Sequence, residues 1–270
     1  MKRLALLLAA LALSLAASAA DPVAFVADLQ GNATIEGDGK VNFLAQLNSG
    51  TRLLLGTGAK VAVTYAATGA EFTLTGPGEF VVTDVEVKAE KGAAPAKRVV
   101  ATLKDAALVA RIAKTATASL RMRSAQASSA KARLDYPVDT KVTTLQPEFR
   151  LVNVSDGSEV TLRDAGGKEI WKGPAQSGIA RPGVKLSAAT RYRWTVMTSA
   201  GALSEAHFET ANADAIARVA KARAASKSFS DRVMHALLLQ DVGAAQEARA
   251  AWGELSRERP DVAELAALAR

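Results

Sequence analysis

The sequence predicts a mainly β protein with two consecutive small β-domains followed by a C-terminal α-hairpin. Two stretches, residues 52–83 and 145–211, alternate apolar with polar residues and are interrupted by glycine-rich turns. Period-two alternation places the apolar side chains on one face of a strand, and glycines favour the turns between strands. A third stretch, residues 212–270, is rich in alanine, leucine and charged residues, a composition typical of helix.

Residues 1–20 are predicted to be a secretory signal peptide, so the protein is expected in the periplasm. The segment starts with Lys2 and Arg3, continues with an apolar run, and ends in small residues that suit cleavage after Ala19 or Ala20. The alternative is an uncleaved membrane anchor. As a helix, however, the apolar run would span about 25 Å, short of the roughly 30 Å of a bilayer core. No transmembrane segment is expected after cleavage.

Charge and cysteine content restrict the partners and the source of stability. The 270-residue chain carries a formal charge of +7, and the mature chain keeps +5 once Lys2 and Arg3 are removed. This mild excess suits an anionic envelope polymer such as peptidoglycan or lipopolysaccharide. A nucleic-acid partner is not expected, because aromatic residues make up only 5% and no nucleic-acid-binding motif is present. Without cysteine, neither a disulfide nor a cysteine-linked lipid anchor can form.

Short strands at roughly ten-residue spacing predict that residues 21–105 form a β-roll or β-sandwich. In its densest part, Val61, Val63 and Tyr65 alternate with smaller residues and share one face. Residues 88–96 are polar and are expected to be a loop. The expected strands cover residues 23–27, 33–35, 43–47, 52–55, 61–65, 72–75, 81–87 and 98–103.

This first domain resembles the FecR-type periplasmic β-domain. An opening VAFVADLQGNATI is followed by LNSGTRLLLGTGAKVAVTYAATGAEFTLTGPGEFVV, and residues 67–70 stand where the family has an Asp-Gly-Ser turn. The resemblance implies a domain that acts beside envelope sensors or transport machinery. The sequence shows no cytoplasmic anti-sigma segment or central membrane helix, so transmembrane signalling is not implied. The matching positions are Gly50, Leu53, Gly56, Val61, Val63, Phe72 and Leu74.

Residues 106–144 are predicted to be a basic, alanine- and serine-rich connector. Its first part, residues 106–134, contains no acidic residue. One interpretation is a contact surface for an anionic glycan or lipid headgroup. The other, which we favour, is a linker whose charges keep it solvated. The candidate anionic-ligand contacts are Arg111, Lys114, Arg121, Arg123, Lys131 and Arg133.

Residues 145–211 are predicted to form the second β-domain. Leu186, Thr190 and Tyr192 match the Leu-x-Pro-x-Thr-x-Tyr corner of fibronectin type III domains, with Ala188 at the proline position. The resemblance implies an immunoglobulin-like sandwich in which the tyrosine hydroxyl bonds back to the backbone. Tyr192 and Trp194 are therefore expected in the core rather than on a ligand platform.

Residues 212–270 are predicted to be helical and resemble the second half of a tetratricopeptide repeat. A single repeat is visible, whereas solenoids usually need three or more. The hairpin is therefore expected either to dock on the β-domains or to contact a partner. The matching positions are Leu239, Gly243, Ala248, Trp252, Leu255 and Pro260.

The sequence contains no recognisable catalytic, cofactor or metal motif. Its two histidines, His207 and His235, have no second ligand at metal-binding spacing. We therefore expect a non-enzymatic protein without a cofactor. A glycan hydrolase with two distant carboxylates would escape this search.

Three functional hypotheses follow from these patterns. The first is a periplasmic adaptor that binds an envelope or inner-membrane protein through the sheet near residues 76–82 and through the helical hairpin. The second is a cell-wall or anionic polysaccharide-binding protein that uses the basic segment. The third, a cryptic glycan hydrolase, requires two carboxylates that face one cleft.

Overall fold

The computed structural model describes residues 22–65, 67–100, 132–197, 201 and 203–270. The predicted signal peptide and most of the basic connector lie outside these residues. Strands make up 40% and helices 22%, which confirms the prediction of a mainly β protein with a C-terminal helical segment. Among the described residues, no helix has the length and apolar character needed to span a bilayer.

The first β-unit contains ten strands arranged in two five-stranded antiparallel sheets. The β1 sheet has the order β10-β7-β6-β1-β4, and the β5 sheet has the order β3-β2-β5-β8-β9. The strands are β1 (Ala24–Gln30), β2 (Ala33–Ile35), β3 (Gly39–Lys40), β4 (Gln46–Leu47), β5 (Arg52–Leu55), β6 (Lys60–Tyr65), β7 (Ala70–Thr75), β8 (Gly78–Val82), β9 (Val87–Lys91) and β10 (Ala96–Val99).

The core of the first β-unit lies between these two sheets. Val61, Val63 and Tyr65 of β6 all point into it, as their period-two spacing predicts. The Tyr65 ring meets the Phe72 ring edge-on at 5.5 Å, and Phe80 of the opposite sheet is fully buried. The alternating pattern therefore defines the inner face of the sandwich.

The outer face of the β1 sheet is also buried, because the C-terminal helices cover it. Phe25 and Ala27 of β1 belong to the same apolar cluster as the helices. Ala62 and Thr64 on β6 are also buried. The run of apolar residues at the start of β1 is unbroken because both faces of this strand are covered, and such a strand does not alternate apolar with polar residues.

Two local expectations for the first β-unit were wrong. Residues 88–96, expected to be a loop, contain most of β9, and the expected strand 81–87 turns after Val82. The turn forms because the Thr83 hydroxyl donates to the Glu86 carbonyl at 2.8 Å. β9 lies at the sheet edge, where charged residues are common because one side faces water.

The second β-unit is a sandwich of two unequal sheets. The β13 sheet has the order β11-β13-β16, and the β17 sheet has the order β12-β18-β17-β14-β15. Residues 133–142, which the sequence assigned to the connector, form its first two strands. The strands are β11 (Arg133–Tyr136), β12 (Thr140–Val142), β13 (Phe149–Val152), β14 (Glu159–Asp164), β15 (Glu169–Pro174), β16 (Ile179–Ala180), β17 (Arg191–Met197) and β18 (Leu203–Thr210).

The prediction that Tyr192 and Trp194 are core residues is confirmed. Trp194 is fully buried, stacks on Phe149 at 4.7 Å, and donates its indole N–H to the Pro137 carbonyl at 2.8 Å. The Ser187 backbone N–H donates to the Tyr192 hydroxyl at 2.8 Å. This bond ties the start of β17 to the preceding loop.

Changing Tyr192 to phenylalanine is expected to lower the free energy of unfolding by about 1 kcal/mol, because the Ser187 N–H loses its acceptor. Urea denaturation followed by circular dichroism measures the change. As a control, Lys168→Ala in an exposed turn of the same unit is expected to stay within about 0.5 kcal/mol of the wild type. Equal losses in the two variants would contradict the role given to the hydroxyl.

Four helices form the C-terminal helical segment. They are α1 (Ala213–Ala225), α2 (Phe229–Asp241), α3 (Ala245–Glu258) and α4 (Ala263–Leu268). α2 begins with a capping box, in which Ser228 and Asp231 exchange side-chain to backbone hydrogen bonds. The N-cap residue of α3, Ala244, provides no side-chain hydrogen bond. Gly243 sits between them with φ +82°, a conformation that glycine adopts without strain.

Candidate functional site: a helical bridge between the two β-units

The helical segment packs against the first β-unit through an aromatic contact. Phe43 of that unit meets the rings of Phe229 and Trp252 edge-on, at 6.3 and 6.4 Å. Trp252 is fully buried among apolar residues of α1, α2 and α4. Such a ring excludes water and holds the helices on the sheet.

Arg98 on β10 joins the first β-unit to the start of α2. Its guanidinium donates to Glu71 at 2.6 Å, to Asp231 at 3.0 Å, and to the hydroxyls of Ser228 and Ser230 at 2.8 Å each. The side chains of Glu71 and Asp231 are only 3% and 8% exposed. We call these five residues the Arg98 cluster. Its arginine compensates two carboxylates that would otherwise be buried without a counter-charge.

The electrostatics of the Arg98 cluster keep Asp231 ionised. Burial by itself opposes ionisation of this carboxylate, but hydrogen bonds from Ser228 and the charge of Arg98 lower its pKa below the usual value. The cluster therefore stabilises the docked helices at neutral pH, and this contribution is lost when acid protonates Asp231.

A second arginine, Arg259, holds the end of α3 against β1. It donates to the Asp28 carboxylate at 2.7 Å and to the Leu29 carbonyl at 2.6 Å. The same guanidinium binds Asp261 and lies 5.3 Å from the centre of the Phe229 ring. Both ends of the helical hairpin are thus attached to the first β-unit by charged hydrogen bonds.

The N-terminal turn of α3 binds the second β-unit. The Glu247 carboxylate accepts hydrogen bonds from the Tyr136 hydroxyl at 2.9 Å, from the Thr143 N–H at 2.9 Å and from the Thr143 hydroxyl. Burial, and then the neighbouring Glu247 carboxylate, raise the pKa of Tyr136 well above its usual value, so this donor stays protonated. We call Glu247, Tyr136 and Thr143 the Glu247 junction.

Gln246 strengthens the contact next to the Glu247 junction. Its side-chain amide donates to the Asp135 carbonyl at 2.7 Å and accepts from the Val138 N–H at 2.8 Å. The Lys141 N–H also donates to the Gly243 carbonyl at 3.2 Å. The helical segment therefore contacts both β-units at once and bridges them. Of the two alternatives that the sequence left open for the hairpin, docking on the β-domains is observed.

Replacing Glu247 with alanine is expected to cost about 2–3 kcal/mol, because the Tyr136 hydroxyl and both Thr143 donors lose their acceptor. Urea denaturation followed by tryptophan fluorescence measures the loss. Glu254→Ala is the matched control, since Glu254 lies exposed on the same helix. A loss below about 1 kcal/mol for Glu247→Ala would show that the junction contributes little to docking.

The sheet near residues 76–82, predicted as a contact surface, has one face in the core and one face in solvent. Phe80 and Val82 are buried, whereas Glu79 lies on the outer face and pairs with Lys91 at 2.8 Å. Arg52 on the same face pairs with Glu90 at 3.0 Å. The open face of the β5 sheet thus carries ion pairs of both signs together with the exposed side chain of Leu54.

The open face of the β17 sheet has the same character. Thr161 and Thr195 form the floor of a shallow groove of about 340 Å³. Charged side chains of both signs form its walls. The ion pairs are Lys172 with Glu159 at 2.8 Å, Arg163 with Glu169 at 3.6 Å, and Arg193 with Glu205 at 3.7 Å.

Of the predicted anionic-ligand contacts, the structure describes Arg133 alone. Arg133 starts β11 with an exposed side chain that lies 3.8 Å from the Asp135 carboxylate. The other five residues lie outside the described part of the chain, and their role stays a prediction. They are Arg111, Lys114, Arg121, Arg123 and Lys131.

The two histidines occupy different surroundings. His207 is exposed on β18, 3.3 Å from the Glu205 carboxylate. His235 is half-buried on α2, and its Nε2 atom is buried with no hydrogen-bond partner among the described residues. Within the same residues, no group of three or more histidine or carboxylate side chains is placed to hold a metal ion.

Sequence reasoning missed the charged residues that join the units. Glu71 stands between apolar residues on β7, Arg98 follows Lys97 on the edge strand β10, and Asp231 follows Arg98 by 133 positions. One signal was available, because Ser228 followed by Asp231 matches a capping box. Glu247 and Gln246 carry no comparable sequence signal.

The fold and the site together define a class, that of mainly β proteins in which a C-terminal helical segment joins two β-units. The chain matches no family model, no curated protein and no solved structure.

Proposed function

We propose that the chain is a non-catalytic, exported scaffold protein that binds an envelope or inner-membrane protein. The observation that carries the proposal is the helical bridge, which is bonded to the first β-unit through Arg98 and to the second through Glu247. A scaffold whose two units are already fixed loses less conformational entropy when it binds. A bridge that fixes the spacing of the two open sheet faces would therefore favour binding of a partner to both faces.

The family resemblances belong to the same proposal. A FecR-like first β-unit agrees with two five-stranded antiparallel sheets around one core. An immunoglobulin-like second β-unit is supported by the bond between Ser187 and Tyr192, the type of contact expected at a tyrosine corner. A tetratricopeptide-like hairpin is supported by the packing of Ala248 and Trp252 between helices.

The open faces indicate what such a partner would look like. Both faces carry ion pairs of positive and negative side chains, with exposed Leu54 on the β5 sheet and exposed Met197 beside the groove of the β17 sheet. A partner surface with interspersed charges of both signs is complementary to them, whereas a strongly acidic or basic surface is not. The contact region on the first β-unit would include the outer side of residues 76–82.

In-cell cross-linking tests the scaffold proposal. A tagged chain is cross-linked, purified from the envelope fraction, and compared with a Glu247→Ala variant and with the exposed control Glu254→Ala. The expected result is one envelope protein at stoichiometric level with the wild type and the control, and reduced recovery with Glu247→Ala. Recovery of no protein from either form would contradict the proposal.

A second function is favoured by the distribution of charge. The described residues contain 26 lysines and arginines and 25 acidic residues. Residues 101–131 contain six lysines and arginines and one acidic residue. Almost the whole positive charge of the mature chain therefore lies in the predicted basic connector. This concentration supports binding of an anionic polymer such as lipopolysaccharide or peptidoglycan.

Salt dependence separates the two functions. Binding to lipopolysaccharide vesicles or purified peptidoglycan through the connector is expected to weaken steeply between low and physiological salt. It is also expected to disappear when the six predicted contacts are changed to alanine. As a control, Lys168→Ala and Lys172→Ala remove cations elsewhere. Salt-independent binding, or binding that survives the six changes, would contradict this alternative.

A further inference from the structure

Arg163 and Arg193 stand directly opposite each other on the open face of the β17 sheet. The register of β14 and β17 pairs the two residues, and both line the groove of about 340 Å³. Directly opposed side chains on neighbouring strands have Cβ atoms about 4.5–5.5 Å apart, and like charges in such a pair repel each other. We call these two residues the arginine pair. An anion between the two guanidiniums would relieve the repulsion.

The carboxylates of the chain do not engage the arginine pair closely. The ion contact between Arg163 and Glu169 is 3.6 Å long. The contact between Arg193 and Glu205 is 3.7 Å long. Both distances exceed that of a hydrogen bond, whereas Arg181 of the same β-unit donates to a carboxylate at 2.7 Å. The N–H donors of the arginine pair are therefore available to a ligand.

The two guanidiniums of the arginine pair reach the same turn. Arg163 donates to the Gly167 carbonyl at 3.4 Å, and a Cβ atom at Gly167 would lie 4.0 Å from the Nη2 atom of Arg193. Next to the pair, along the same two strands, Thr161 and Thr195 also oppose each other. Their side chains form the floor of the groove. Two guanidiniums and two hydroxyls thus lie together on one concave surface.

The charges around the arginine pair restrict the kind of ligand. Lys172 already pairs with Glu159 at 2.8 Å, so the arginine pair supplies the accessible positive charge of the groove. The carboxylates of Glu169 and Glu205 flank the pair and would repel a ligand with several anionic groups. The same carboxylates accept hydrogen bonds from hydroxyl or ammonium groups. A single anionic group with such donors beside it is therefore complementary to the groove.

A phosphate monoester suits the arginine pair better than a carboxylate does. At neutral pH it carries a charge of about −1.5 to −2, which matches two guanidiniums, and its three terminal oxygens can accept from both. A carboxylate carries one charge and presents two oxygens. The groove, at about 340 Å³, falls within the range of roughly 300–1,000 Å³ that is typical of small-molecule sites.

We propose that the arginine pair is a binding site for a small phosphomonoester. The phosphate lies between Arg163 and Arg193, the hydroxyls of the groove floor donate to it, and hydroxyl or ammonium groups of the ligand face the flanking carboxylates. The site needs neither a partner protein nor the basic connector, so it goes beyond both proposed functions. A soluble phosphomonoester and a phosphomonoester headgroup on a membrane share this chemistry.

Isothermal titration calorimetry of the purified chain tests the site with inorganic phosphate and O-phosphoethanolamine. Both probes are expected to bind, and O-phosphoethanolamine more tightly, because its ammonium group can meet the flanking carboxylates. Arg163→Gln and Arg193→Gln are each expected to weaken binding by about tenfold or more, since each removes charged hydrogen bonds. Arg181→Gln, the matched control in the same β-unit, is expected to leave binding unchanged. Absence of binding, or binding that survives the loss of both arginines, would overturn the proposal.

Thermal unfolding provides a second readout. Without ligand, Arg193→Gln is expected to be at least as stable as the wild type, because the opposition of like charges is removed. A ligand that binds the folded chain raises its Tm. O-phosphoethanolamine is therefore expected to raise the Tm of the wild type and of Arg181→Gln, but not that of Arg193→Gln. An equal rise in all three would place the ligand elsewhere and overturn the proposal.

Vesicle sedimentation distinguishes the two sources of the phosphomonoester. Phosphatidylcholine vesicles with and without phosphatidic acid are mixed with the wild type and with the double variant Arg163→Gln/Arg193→Gln. Retention that requires both phosphatidic acid and the arginine pair would assign the ligand to a membrane. Calorimetric binding without retention would assign it to a soluble molecule. Retention that survives in the double variant, together with no calorimetric binding, would overturn the proposal.

Discussion

Replacing Trp252 with alanine is expected to lower the free energy of unfolding by about 3–5 kcal/mol, the range for a large aromatic residue removed from a core. Trp252 is fully buried and contacts Phe43 across the boundary between the helices and the first β-unit. Its loss leaves a cavity at the point where α2, α3 and the β1 sheet meet. Urea denaturation followed by circular dichroism measures the change.

The matched control for Trp252 is Trp171, which lies half-buried on the edge strand β15. Trp171→Ala is expected to cost less, since part of its ring already faces water. We also expect Trp252→Ala to unfold in two steps, with the helical segment separating from the β-units first. Equal losses for the two variants, or a loss below about 1 kcal/mol for Trp252→Ala, would contradict the central position given to this ring.

Replacing Arg98 with alanine is expected to cost about 2–4 kcal/mol, because Glu71 and Asp231 would stay buried without their counter-charge. This expected cost lies toward the lower end of the range for breaking a buried ion pair, because the Arg98 side chain is 39% exposed and water can partly replace it. Urea denaturation at neutral pH measures the loss. Arg52→Ala removes an arginine from an exposed ion pair and is expected to cost less than about 1 kcal/mol.

The same variant has a distinct pH signature. In the wild type, the pKa of Asp231 is lowered, so its contribution is complete above the ordinary value of 3.8 and is lost as the pH falls through the lower folded-state value. Removing Arg98 takes away one of the groups that lower this pKa. The part of the acid-induced loss of stability that comes from Asp231 is therefore expected to be smaller in Arg98→Ala than in the wild type. An unchanged acid profile would show that the cluster does not control Asp231.

The two arginines of the bridge have different roles. Arg98 compensates two buried carboxylates, whereas Arg259 makes hydrogen bonds to the partly buried Asp28, to the Leu29 carbonyl and to the exposed Asp261. Loss of Arg98 leaves two carboxylates that are only 3% and 8% exposed, whereas the carboxylate partners of Arg259, Asp28 and Asp261, are 20% and 62% exposed. The first position is therefore the more sensitive one, although the two arginines make similar numbers of contacts.

Local patterns were sufficient to predict the inner faces of both sandwiches. Val61, Val63 and Tyr65 in the first β-unit, and Tyr192 and Trp194 in the second, are buried as their spacing indicates. The same patterns failed at β9, because a polar edge strand and a polar loop have similar compositions. They also missed that Thr64 is buried, since a covering helix leaves no mark on the strand beneath it.

The sequence by itself determined the class and order of the segments, because strand periodicity, glycine turns and the Ser228 capping box depend on neighbouring residues. Only the tertiary structure decided that the helices cover the β1 sheet and join it to the second β-unit. The contacts responsible, such as Arg98 with Asp231 and Tyr136 with Glu247, connect residues 133 and 111 positions apart. Pairings at such separation depend on how whole elements pack, which no local pattern encodes.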